Sequence, residues 1–69
     1  MTADQWIAAF AEEIGAEPPT EEEVGALLEL AAEAAHSSER IAAPLACYLA
    51  GRSDTSLQEL RAAAERVST

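Results

Sequence analysis

The residues of this chain that could do chemistry are few: one histidine, one cysteine, four arginines and thirteen carboxylates. His36 is the only imidazole, the one side chain whose ordinary titration falls near neutral pH. It is expected at a helix C-terminus, where the dipole favours its protonated form, one turn after Glu33. Arg40 follows four residues later. Together His36 and Arg40 bracket a connector, residues 37–43, and could hold a phosphate or carboxylate, a task suited to arginine's planar fork. The plainer reading has His36 capping its helix beside Glu33 and Arg40 paired with a neighbouring glutamate. Both readings stay open.

Other chemistry finds less support. Cys47 has no basic neighbour to lower its pKa, and by periodicity it projects away from the face formed by Leu45 and Leu49. It reads as a small packing residue. A lone cysteine forms no internal disulfide and fits a reducing compartment. One Cys and one His cannot supply the ligands of a structural zinc site. Glu21, Glu22 and Glu23 suit a charged first helical turn better than a calcium loop, since no glycine-centred ligand spacing follows. Asp54-Thr55-Ser56-Leu57 is one residue too long for the Asp-Ser-Leu attachment site of acyl carrier proteins and opens the last helix instead of a central one. No catalytic constellation, cofactor or metal is therefore expected, and the chain reads as a protein that contacts another protein. The alternative is a self-associating structural protein, with a homodimer as its simplest form.

Charge narrows the partner. The formal charge is −9, and all four bases are arginines: Arg40, Arg52, Arg61 and Arg66. No basic patch exists to neutralise phosphates, which argues against nucleic acid and an anionic membrane. The acidity favours solubility and can steer the chain to a basic surface. Met1-Thr2-Ala3-Asp4 lacks the charged start of a signal peptide, and no apolar run approaches the ~20 residues of a membrane span. The expected compartment is the cytoplasm.

The elements that must position these residues are helices. Thr2 with Gln5, Thr20 with Glu23, and Ser56 with Glu59 have the spacing of capping boxes. Trp6, Ile7, Phe10 and Ile14 fall within one arc of a first helix over 3–14, which Gly15 stops. Pro18 and Pro19 separate it from a second helix over 21–36, whose apolar face is Val24, Leu27, Leu28, Ala31, Ala34 and Ala35. Pro44 favours the first position of a helix, which starts the third at 44 and ends it at Gly51. Leu57, Leu60, Ala64 and Val67 form a thin seam on a fourth helix, 57–67, expected to be the least protected element. The prediction is a single all-α domain over 1–69, a compact four-helix antiparallel bundle with alanine-rich faces closely packed between helices two and three. Trp6 and Tyr48 read as core aromatics. Partial exposure beside Phe10 would make them an interface. A chain this short buries only about 60% of its unfolded surface, so a partner or second copy would add stability.

One stretch resembles a known family. Leu27-Leu28-Glu29-Leu30-Ala31, then Ala35-His36 and Arg40, then Ala42-Ala43-Pro44-Leu45 and Tyr48-Leu49 with Gly51, resembles a small uncharacterised helical domain of actinobacteria. That domain occurs beside molybdenum cofactor guanylyltransferase or fused to its C-terminal side. The first helix, from Trp6 to its stop at Gly15, fits as well. The family pattern often has proline after the arginine, where this chain has Ile41. The resemblance implies an accessory domain for that guanylyltransferase, with His36 and Arg40 as the residues facing the pyranopterin phosphate or the partner.

Overall fold

The computed structural model describes all residues, Met1–Thr69. It contains four helices and no strand: α1 Ala3–Ile14, α2 Glu21–Ser37, α3 Ala42–Arg52 and α4 Leu57–Ser68. The chain is all-α, as its periodicity predicts. Two of the three starts are complete capping boxes. Thr2 Oγ1 accepts from the Gln5 amide at 3.1 Å while Gln5 Oε1 accepts from the Thr2 amide at 2.9 Å. Thr20 and Glu23 repeat the exchange at 3.1 and 2.8 Å. At the third start, Ser56 Oγ accepts from the Glu59 amide at 3.1 Å, but no return bond forms. The Glu59 carboxylate instead takes Arg66 at 2.6 Å, so the expected box is one-sided. Gly15 ends α1 in the left-handed region at φ 73° and donates to the carbonyls of Ala11 and Glu12, a conformation costly for residues bearing a Cβ.

Helix α3 begins two residues before the expected start at Pro44. Amide bonds from Ala42 to the Glu39 carbonyl and from Ala43 to the Arg40 carbonyl form the lead-in turn. Pro44 is then the third helical residue, still inside the first turn, where no amide has an intrahelical acceptor. Its missing N–H costs nothing there, and Arg40, whose carbonyl a proline at this position would otherwise crowd, lies outside the helix.

Helix α2 is the axis of the fold, with α3 and α4 both packed on it and not on each other. The face of α3 turned to α2 is made of small residues. Ala42, Ala43, Ala46 and Cys47 are half-buried and Ala50 is 8% exposed. Such a face allows close approach of the helix backbones, and the Cys47 thiol reaches the Leu27 carbonyl at 3.7 Å. The expected orientation of α3 is thereby reversed: Cys47 points inward, and Ile41, Leu45, Tyr48 and Leu49 point to solvent.

Helix α4 runs parallel to α2. Arg61 Nε meets Glu29 Oε2 at 2.8 Å near the start, and Ser37 and Ser68 share a 2.8 Å hydroxyl hydrogen bond at the far end. Leu57, Leu60 and Ala64 form the half-buried seam predicted for it, while Val67 stays exposed. The weakly held element is α1 and not α4. Helix α1 makes no packing against the rest comparable to that of α3 or α4. Ala11 and Ala50 are the only two buried residues of the chain. No helix is long and apolar enough to cross a membrane.

Candidate functional site

His36 lies in the last turn of α2 and Arg40 in the turn that follows, and both are exposed. Neither makes a side-chain hydrogen bond or ion pair, and neither lines any of the three principal clefts. The structure thus places the pair around the turn between α2 and α3, outside the three principal clefts. His36 does influence Glu33, whose carboxyl is held below its usual range. The larger causes are the hydroxyls of Ser37 and Ser68, with the positive charge of His36 a smaller one. Ser37 Oγ donates to the Glu33 carboxylate at 2.8 Å and meets Ser68 across the interface. This carboxylate–hydroxyl cluster fastens the C-terminal ends of α2 and α4 together. No group of three metal-ligating side chains converges anywhere.

The two candidate interface aromatics are both exposed. Trp6 is 53% exposed and stacks on Phe10 with ring centroids 5.1 Å apart. Tyr48 is 62% exposed, and the Arg52 guanidinium lies over its ring at 5.2 Å. They belong to separate surfaces, one on α1 and one on the outward side of α3. Exposure of this extent is unusual for large side chains in a folded monomer, and contiguous apolar patches of this kind mark interaction sites. Of the four arginines, Arg61 and Arg66 are engaged in ion pairs, which leaves Arg40 and Arg52 as the unpaired cations.

A third feature escapes sequence reasoning. Between α3 and α4 runs an open apolar slot of about 630 Å³, floored by Leu30 and Ala34 of α2. Its walls include Leu45, Ala46 and Leu49 on one side and Leu60, Ala63 and Val67 on the other. The signal for it was the stripe of small residues at Ala43, Ala46, Cys47 and Ala50. That stripe, and not the leucines, forms the packing seam with α2, as the alanine-rich faces of helices two and three suggest, and it turns Leu45 and Leu49 outward.

The fold and these surfaces define a small acidic helical domain with exposed apolar faces. Its sequence belongs to DUF6457, a domain of unknown function, whose family model matches residues 1–69. No curated protein and no solved structure matches it.

Proposed function

We propose that this chain is a non-catalytic docking module that engages a protein partner through the outward face of α3. The observation that carries this reading is the exposed pairing of Tyr48 with Arg52 on α3, with the unpaired Arg40 in the turn that leads into that helix. Tyrosine and arginine dominate binding energy where they are desolvated by a partner. A surface complementary to it presents an apolar centre rimmed by carboxylates. The overall negative charge pointed to a basic partner, but this face carries the unpaired Arg52, with the unpaired Arg40 in the turn before it, and these favour acidic groups opposite.

The setting we propose is maturation of the molybdenum cofactor, with the guanylyltransferase as partner. The support is the resemblance running through His36, Arg40, Pro44 and Tyr48, the stretch that forms this face and its approach. The test is retention of purified guanylyltransferase on the immobilised domain. Tyr48→Ala and Arg40→Ala should each weaken retention by about tenfold or more, the scale of a hot-spot truncation. Because both side chains are exposed, neither change should unfold the domain. Absence of binding by the unaltered domain would remove the proposed partner, and binding indifferent to both substitutions would remove the proposed face.

A further inference from the structure

We infer that the slot between α3 and α4 receives helix α1 from a second copy of this chain, and that the exchange is reciprocal, giving a two-fold dimer. The slot is open and apolar, with α3 on one side, α4 on the other and Leu30 and Ala34 of α2 between them. The slot wall from Leu60 to Ser68 runs about 12 Å along the helix axis at ~1.5 Å per residue. Trp6 to Ile14, the span of the uncovered α1 face, covers the same rise.

Helix α1 supplies the matching surface. Trp6, Ile7, Phe10 and Ile14 are all exposed, and at ~150–250 Å² per whole aromatic side chain they hold on the order of 400 Å² of accessible apolar area. Two such faces entering two slots bury roughly 1,200 Å², at the lower edge of the ~1,200–2,000 Å² range of stable interfaces.

Charge selects the same pairing. Helix α1 carries Asp4, Glu12 and Glu13 and no base, and α2 carries five glutamates and no arginine or lysine. The walls of the slot are the two helices that are not net acidic: α3 has Arg52 and no acid, and α4 balances two acids with two arginines. An acidic helix therefore meets least repulsion there.

The chain's own α1 is badly placed to fill the slot. It rests beside Pro18, Pro19 and Val24 at the start of α2, on the order of 100° around that helix from Leu30 and Ala34. Leu27 and the α3 packed on it stand between. The Ser53–Ser56 connection from α3 to α4 crosses at the end of the slot nearest the α1 linker. A second chain meets neither obstacle, and a two-fold pairing uses the same α1 and slot of each copy.

Trp6 is the only tryptophan and reports its own burial. Light scattering over a concentration series should show monomer converting to dimer, with Trp6 emission moving to shorter wavelength in step. Two variants separate donor from acceptor. Trp6→Glu with Phe10→Glu disables α1, and Leu45→Glu with Leu49→Glu blocks the slot; all four positions are exposed, so the fold should survive, as circular dichroism would verify. Each variant alone should dimerise at least ~30-fold more weakly, the size of a single hot-spot loss. Mixed, they should form a heterodimer through the one intact α1 and the one intact slot. A monomer at every concentration overturns the inference. So does a dimer that survives the α1 substitutions, or a mixture that remains monomeric.

Discussion

Reversing sizes at two adjacent positions of α3 tests the orientation on which both surfaces depend. Ala50 is 8% exposed against α2, whereas Leu49, one residue earlier, is 63% exposed. Ala50→Leu forces three extra heavy atoms into a contact built from alanines, and overpacking of this kind costs about 1–3 kcal/mol. Leu49→Ala removes a side chain of which little more than a third is covered. Scaling ~1.5–3 kcal/mol for full burial by that share gives about 0.5–1 kcal/mol, partly offset by alanine's better helix propensity. In a domain of this size 1 kcal/mol moves Tm by roughly 4–8 °C. At dilute, monomeric concentration, thermal unfolding followed by far-UV circular dichroism should therefore fall by about 5–20 °C for Ala50→Leu and by less than about 5 °C for Leu49→Ala. The common expectation that leucines are core and alanines filler predicts the opposite order. If Leu49→Ala proves the more damaging change, α3 is turned the other way and neither the slot nor the Tyr48 face exists as described.

Two further outcomes follow from local chemistry. The Glu33 carboxyl titrates below its unfolded value because Ser37 and Ser68 hydrogen-bond its charged form and His36 adds positive charge. The unfolded chain then binds more protons in that interval, so stability rises with pH there. The contribution is complete above the ordinary carboxylate range near pH ~4.3 and is lost as pH falls through the depressed value; Glu33→Gln should flatten that part of the acid-unfolding curve, and an unchanged curve would refute the coupling. Gly15→Ala places a Cβ in a left-handed residue at φ 73°, at a cost of roughly 1–2 kcal/mol. Since α1 is weakly packed, faster amide exchange over residues 11–16 with little change in the melting of α2–α4 is the expected result.

Helix identity was largely legible because it is set locally. Thr2, Thr20 and Ser56 mark starts by their hydrogen-bonding reach, and Gly15 marks a stop by its freedom at positive φ. Each acts within a few residues of itself. What was not legible was which face of a helix meets which neighbour, because the sequence offers two apolar stripes on α3 and no local rule ranks them. The small stripe wins because it brings backbones close. The large stripe of Ile41, Leu45, Tyr48 and Leu49 has no place to go inside one chain of this length. His36 and Arg40 were visible as the right residue types, but type says nothing about a cleft, and the three principal clefts lie elsewhere. Pro44 misled by two residues because its preference for the first helical position was taken as a requirement, whereas any of the first four positions spares its missing donor.

Charge and apolar exposure together make a last prediction about salt. Two chains of charge −9 with centres about one intermediate molecular dimension apart, 24 Å, repel as point charges by about 14 kcal/mol in water without screening. At 0.1 M salt the ~10 Å Debye length reduces this to about 1 kcal/mol. The buried apolar area is indifferent to such concentrations, so salt removes the opposing force and leaves the attraction. Dimerisation through α1 should accordingly tighten by well over tenfold from a few millimolar salt to 0.1 M, and change little more above it. An association held chiefly by ion pairs between α1 carboxylates and arginines would weaken over the same range. Sedimentation equilibrium at three salt concentrations decides between them: dissociation on adding salt would mean that acids, and not Trp6 and Phe10, bring the two chains together.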